Sequence, residues 1–101
     1  MTIELTEASA DAPMQLAIVG RFDSQLRHDF MRLQTPLRGR CEALVVDLAR
    51  TNYMDSTALG MLLMLRESLG GDSADITLRN CGPEIAKILQ IANFQTLFAI
   101  D

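Results

Sequence analysis

The sequence has 101 residues, of which 49% are apolar, and its formal net charge is −4. This length is enough for a single hydrophobic core, so we predict one domain. The negative charge disfavours direct nucleic-acid binding, because it provides no basic field for phosphate backbones. No stretch approaches the roughly 18 apolar residues of a membrane span, and the N-terminus lacks a basic region followed by an apolar one. We therefore expect a cytoplasmic protein without membrane insertion.

The beginning of the sequence predicts an antiparallel hairpin. Residues 3–6 alternate apolar and polar side chains, as a half-buried strand does, and residues 14–19 form a second, more apolar run. Residues 11–13, Asp-Ala-Pro, supply a turn between the two runs. Gly20 then marks the end of the second strand. Two neighbouring strands that run in opposite directions are expected.

A helix is predicted to follow this hairpin. Asp23 or Ser24 can cap its first turn, because a short side-chain oxygen accepts a hydrogen bond from an unpaired helical amide. Its apolar positions recur at helical spacing; they are Leu26, Phe30 and Leu33. Pro36 should end the helix. The remaining side is interpreted as a solvated face, and it carries Arg27, His28 and Arg32.

The second half of the sequence alternates strands with helices. Residues 43–47 form a compact run without helical periodicity, which predicts a central strand covered on both faces. A helix should run from residue 55 to the glycines at 70 and 71, and a strand should follow at residues 76–79. Another helix is predicted between Gly82-Pro83 and Asn93, with a short edge strand at residues 97–100. Because helical crossovers make parallel pairs, we predict an α/β fold with a mixed sheet of four to five strands.

The loop before the middle helix places a hydroxyl at the amino end of that helix. Asp55 or Ser56 can act as the N-cap, and Ser56 then lies where unpaired amides and the helix dipole favour negative charge. The helix would tolerate a phosphate on Ser56, whereas Asp55 beside it would repel the phosphate. Thr57 is expected to cap or pack. This stretch is a predicted switch site, unless its three residues serve only as a helix cap.

The middle helix is predicted to carry apolar residues that the sheet does not need. At about 100° per residue, the sheet-facing stripe consists of Ala58, Leu62, Leu65 and Leu69. Met64 lies outside this stripe, next to Gly60 and on the side of Ser56. Leu63 flanks them, unless a second layer of the domain covers it. Exposed Met and Leu beside a small Gly are suited to binding a protein partner.

Three stretches of the sequence resemble the STAS domains of anti-sigma factor antagonists. Residues 54–60, Met-Asp-Ser-Thr-Ala-Leu-Gly, are similar to the phosphoacceptor segment of that family, with Ala58 where glycine is more usual. Residues 19–23, Val-Gly-Arg-Phe-Asp, resemble its Gly-x-hydrophobic-Asp turn, and residues 93–100 resemble its C-terminal end. The resemblance implies a single STAS-like domain over residues 1–101, with the helices packed mainly on one face of the sheet.

The resemblance also implies a function in partner switching. Such proteins bind an anti-sigma factor that is also a serine kinase and thereby free the sigma factor; phosphorylation of the motif serine breaks the complex, and a serine phosphatase restores it. Ser56 matches that serine, Asp55 the acid before it, and Asp23 the acid of the turn. The predicted partner-binding residues are Asp23, Asp55, Ser56, Thr57, Gly60, Leu63 and Met64. The protein would then be the substrate of the kinase and not an enzyme.

The motifs of the sequence do not support a catalytic function. A nucleophile elbow requires Gly-x-Ser-x-Gly with a His after the Ser, and the single His28 precedes Ser56. The sequence contains neither a phosphate-binding loop that ends in Gly-Lys-Ser/Thr nor the dinucleotide-binding motif Gly-x-Gly-x-x-Gly. Cys41 and Cys81 lack metal-ligand spacing and are predicted to be free thiols. We predict no cofactor and no metal site.

A second function is compatible with the same fold. Related STAS domains serve as non-switching subunits of transport or sensory complexes, where the domain is a docking module. The intact triplet Asp55-Ser56-Thr57 favours the switch. Phosphate on Ser56 in cells distinguishes the two functions, because a docking module needs no phosphoacceptor.

Overall fold

A mixed sheet with its helices on one face forms the framework of the protein. The computed structural model describes residues 3–6, 8–10, 13–37 and 43–101. The strands are β1 Ile3–Thr6, β2 Met14–Ile18, β3 Gly20–Phe22, β4 Leu44–Asp47, β5 Thr51–Met54, β6 Ile76–Arg79 and β7 Ala99–Ile100. The helices are α1 Arg27–Leu37, α2 Ser56–Ser68 and α3 Pro83–Ile91. Short 3-10 turns precede α1 at Ser24–Leu26, follow α2 at Gly71–Ser73 and follow α3 at Phe94–Thr96.

The larger sheet contains five strands in the order β1, β2, β4, β6, β7. β1 and β2 are antiparallel, whereas β2 with β4, β4 with β6 and β6 with β7 are parallel. The predicted hairpin, the mixed sheet and the edge position of the last strand are therefore confirmed. Residues 11 and 12 of the predicted turn lie outside the described residues. A helix connects each parallel pair, as the alternation of strands and helices predicts.

The hydrophobic core lies between the larger sheet and the helices. Alternate strand residues point to this side, among them Leu16, Val46 and Leu78, which are at most 1% exposed. Val45 points to the other face and is still only 3% exposed, because Gln15 and Thr77 flank it in register on β2 and β6. The prediction that β4 is a central strand buried on both sides is confirmed.

A second sheet, the parallel pair of β3 and β5, replaces a predicted strand end and a predicted loop. Gly20 does not end a strand but begins β3 with a φ of +86°, a left-handed conformation that glycine adopts without steric cost. Its N–H donates a hydrogen bond to the Arg50 carbonyl at 2.9 Å. The buried Thr51 hydroxyl donates to the Ile18 carbonyl at 2.7 Å. These contacts hold β3 against β5 and position the residues that follow both strands.

The helices follow the predicted pattern except at the end of α1. This helix continues to Leu37, one residue past Pro36, because proline removes one N–H donor but has a φ compatible with a helix. α3 has Pro83 at its first position, as predicted. Asn93, just beyond α3, has a φ of +62°, the left-handed conformation that closes many helices. No helix within the described ranges is long and apolar enough to cross a membrane.

Candidate functional site

The amino end of α2 presents Ser56 to solvent. Asp55 is the N-cap, since its backbone is extended (φ −129°) and its Oδ1 accepts a hydrogen bond from the Ala58 N–H at 3.1 Å. The sequence predicts either Asp55 or Ser56 as the N-cap, and in the structure the N-cap is Asp55. Ser56 is the first helical residue and is exposed, whereas Thr57 is half-buried. The unpaired amides at this end favour an anion near Ser56.

Replacing Asp55 with Ala should destabilise the domain by about 0.5–2 kcal/mol, because the Ala58 N–H loses its side-chain acceptor. Asp55→Asn should retain most of this stability, since the amide oxygen can accept the same hydrogen bond. Urea unfolding followed by circular dichroism measures both differences in the free energy of unfolding. Equal stability of the Ala and Asn variants would show that the cap does not contribute to folding.

Asp23 occupies the corresponding position after β3. It is only 8% exposed, and its two oxygens accept hydrogen bonds from the Gln25 N–H and from Arg21 Nε, each at 3.0 Å. The parallel pairing of β3 with β5 ends one residue before Asp23 and Asp55. The two acids therefore leave neighbouring strands about 5 Å apart. The structure brings these two predicted site residues together, each as the cap of the helical segment that follows it.

Two further residues of this site, Arg21 and Tyr53, are not marked by the motifs. They are partners across β3 and β5, and the guanidinium carbon of Arg21 lies 3.8 Å from the centre of the Tyr53 ring. Arg21 Nε also donates to Asp23, and this hydrogen bond raises the pKa of the guanidinium. Each of the two residues stands two positions before one of the acids, so the alternation of a strand could have identified both. That signal requires recognition of β3 and β5, but β3 has only three residues and the four residues of β5 do not alternate between buried and exposed.

The buried and exposed sides of α2 divide as the helical spacing predicts. The buried side is at most 2% exposed and consists of Ala58, Met61, Leu62 and Leu65. Leu69 is partly buried against the same core. Leu63 and Met64 are 38% and 37% exposed, so the described chain covers each of them only in part. Apart from its chain neighbours and the adjacent turns of its own helix backbone, a Cβ added at Gly60 would meet no described atom within 4 Å, so other segments leave the helix surface open at this position.

Four residues on one side of α2 form a surface that we call the α2 face: Ser56, Gly60, Leu63 and Met64. At about 100° per residue, they span about 100° of the helix circumference. Met61, which the predicted stripe omits, lies on the buried side of the helix and is 2% exposed. The Ser56 hydroxyl and two apolar side chains are therefore presented in the same direction. A single partner that covers this side of α2 would contact all of them.

The described cysteine and the histidine show no feature of a reactive site. Cys81 is a half-buried free thiol, and burial raises its pKa, which makes it a weaker nucleophile at neutral pH. Cys41 lies outside the described residues. His28 is exposed on α1. Among the side chains that the structure describes, no group of three or more His, Cys, Asp or Glu residues could hold a metal ion.

Sequence comparisons match the chain to one domain family. The family model described as Mlab, STAS domain, matches residues 5–99. A STAS-domain containing protein of Pseudomonas aeruginosa (strain UCBPP-PA14) is 42% identical over 101 residues, which are 100% of this chain and 100% of the relative. The predicted resemblance to STAS domains is confirmed.

The fold is similar to that of SpoIIAA. The structure of the anti-sigma factor antagonist SpoIIAA in its unphosphorylated form has a TM-score of 0.80 and 17% identity, and the match covers 98% of this chain and 87% of SpoIIAA. The Bacillus cell fate determinant SpoIIAA in its phosphorylated form has a TM-score of 0.67 and 17% identity, with 98% and 90% of the two chains covered. At 17% identity, the two SpoIIAA structures show only that the fold is shared. The family model and the 42% identical relative show that the chain belongs to the STAS domain family.

Proposed function

We propose that this protein is an anti-sigma factor antagonist that acts by partner switching. The unphosphorylated form binds an anti-sigma factor with serine kinase activity and so releases the sigma factor. Phosphorylation of Ser56 breaks the complex, and a serine phosphatase restores it. The observation that carries the proposal is the exposed Ser56 at the start of α2, beside apolar residues that the core does not use. The protein is then a cytoplasmic binding protein that acts as a kinase substrate, without enzymatic activity or contact with nucleic acid.

The surroundings of Ser56 suit a phosphoacceptor. Ser56 is exposed at the first helical position, where a kinase can reach the hydroxyl. The carboxylate of Asp55 repels a phosphate, but one of its oxygens already accepts a hydrogen bond from the Ala58 N–H. The unpaired amides and the helix dipole offset part of the remaining repulsion, by about 0.3–1 kcal/mol. A phosphate can therefore be added without unfolding the helix.

The other residues of the α2 face suit a protein partner. Leu63 and Met64 can bury apolar surface in a complex, and the flexible Met side chain adapts to the shape of its partner. The open backbone at Gly60 allows a partner to approach α2 closely. A phosphate on Ser56 would lie at the edge of this apolar contact. Binding would then require desolvation of a dianion, which weakens the complex.

The comparison with SpoIIAA supports this function by analogy. SpoIIAA is an anti-sigma factor antagonist, and its structures include an unphosphorylated and a phosphorylated form. A shared fold alone does not carry a function from one protein to another. The proposal therefore depends on the site of this chain, where an exposed serine follows an N-cap aspartate at the start of α2.

Ser56, and not Thr57, is expected to carry the phosphate, because Ser56 is exposed and Thr57 is half-buried. The protein is incubated with ATP and each purified anti-sigma kinase homologue of its source organism, and the modified peptide is mapped by mass spectrometry. Thr57→Ala should still be phosphorylated, whereas Ser56→Ala should not. Phosphate mainly on Thr57 would contradict the assignment. Absence of phosphate from Ser56 in cells would favour the non-switching docking subunit of a transport or sensory complex.

A further inference from the structure

Arg21 is held in one orientation by two neighbours. Its Nε–H donates to Asp23 Oδ2 at 3.0 Å, and its guanidinium carbon lies 3.8 Å from the centre of the Tyr53 ring. Asp23 is itself anchored, because its other oxygen accepts a hydrogen bond from the Gln25 N–H. The guanidinium has five donors, and the Arg21 side chain is 61% exposed. Its ion pair with Asp23 is made through Nε.

This guanidinium lies at the end of the second sheet where Asp23 and Asp55 follow β3 and β5, and Asp55 directly precedes Ser56. Side chains two residues apart on a strand point the same way, so Arg21 and Tyr53 share a side with Asp23 and Asp55. Ser56 follows Asp55 directly and begins α2. A partner that covers the α2 face at its amino end therefore comes next to the exposed part of Arg21.

We propose that Arg21 binds a carboxylate of the protein partner, on an Asp or Glu side chain in the segment that covers the α2 face. This inference rests on the proposed partner-switching function. Since Nε is occupied by Asp23, the two terminal nitrogens present the planar fork that a carboxylate matches in a bidentate pair. A phosphate is a poorer match, because Asp23 and Asp55 repel a dianion more strongly than a single negative charge.

The two neighbours of Arg21 also explain why this arginine is suited to binding. An unrestrained arginine loses rotamer freedom when it binds, whereas Arg21 is already ordered by the Asp23 hydrogen bond and the Tyr53 ring. Arg32 is also exposed but has no such contact among the described residues. Arg32 therefore provides a matched control, with the same side chain and charge but without the fixed orientation.

The test uses the purified kinase that phosphorylates Ser56 as the probe. Its Kd for the unphosphorylated protein is measured by calorimetric titration at low and high salt. Arg21→Gln should weaken binding by about 10- to 100-fold, as expected for the loss of hydrogen bonds to a charged group, and Arg21→Glu should weaken it further. Arg32→Glu should change Kd by less than about 3-fold. Salt should weaken the wild-type complex more than the Arg21→Gln complex, because salt screens the charge pair of Arg21, which the variant lacks.

The experiment distinguishes failure of the inference from failure of the proposed function. Wild-type affinity in both Arg21 variants, with binding still lost on Ser56 phosphorylation, would overturn the inference and leave the proposed function intact. Equal weakening by Arg32→Glu would overturn it as well, because net charge would then explain the effect. Failure of every kinase to bind the wild-type protein would overturn both.

Melting curves show whether the Arg21 variants remain folded. If Arg21→Glu is unstable because of its repulsion from Asp23, the inference is tested with Arg21→Gln and Arg21→Lys instead. Lys keeps the charge but lacks the planar fork, so its complex should have an affinity between those of the wild type and Arg21→Gln. Equal affinity of the Lys, Gln and wild-type proteins would overturn the inference.

Discussion

The Ser56→Asp variant is expected to bind the anti-sigma kinase at least about 100-fold more weakly than the wild-type protein, because a charge desolvated in an interface costs several kcal/mol. In the wild type the partner covers a small, neutral hydroxyl at this position. The variant places a carboxylate there, next to Asp55 and near Asp23, which adds like-charge repulsion. A phosphate should have a larger effect, since it carries about −1.5 to −2 charges. Calorimetric titration with the purified kinase measures the loss.

The same substitution should leave the fold unchanged. A negative charge at the first position of α2 interacts favourably with the helix dipole, by about 0.3–1 kcal/mol. The circular dichroism spectrum and the melting temperature should therefore remain close to those of the wild type. Ser56→Ala is the matched control, and it should bind the kinase constitutively. Large NMR shifts in the phosphorylated protein far from residues 52–66 would contradict a local block and indicate an allosteric mechanism.

Met64→Glu is expected to weaken kinase binding by at least about 10-fold, because it replaces an apolar contact with a charge that must be desolvated. Met64 is 37% exposed, so the carboxylate remains in water in the free protein. The free energy of unfolding should change by less than about 0.5 kcal/mol, as is usual for a surface substitution. Titration with the kinase and urea unfolding measure the two effects separately.

Met61→Glu is the matched control for this prediction. Met61 belongs to the same helix but is only 2% exposed. A carboxylate buried there has no partner charge, and we expect a loss of several kcal/mol of stability, enough to unfold a small domain. If Met64→Glu destabilises the protein as much as Met61→Glu does, Met64 belongs to the core and the α2 face is wrongly assigned.

The elements that could be predicted from the sequence are those whose signals are local. Alternation in residues 3–6 and the apolar run that follows predict the hairpin, and the compact run at 44–47 predicts the central strand. Gly82-Pro83 predicts the start of α3, because proline has a helical φ and needs no N–H acceptor there. The segment around Ser56 is a contiguous motif, and its cap bond spans only three residues. In each case, the residues that carry the sequence signal are the same residues that form the structural element.

The other residues that lie near Ser56 could not be predicted from the sequence, because long-range contacts bring them there. The pairing of β3 with β5 depends on contacts between distant segments, such as the Thr51 hydroxyl with the Ile18 carbonyl, and neither short strand has a periodic pattern of its own. This pairing places Arg21 over Tyr53, next to the acids that precede α1 and α2. Helical spacing separates the two sides of α2, but the packing of the sheet decides how deeply each side is buried. The pairing of two short strands that are far apart in sequence produces no local pattern in either strand. It is therefore seen only in the folded structure.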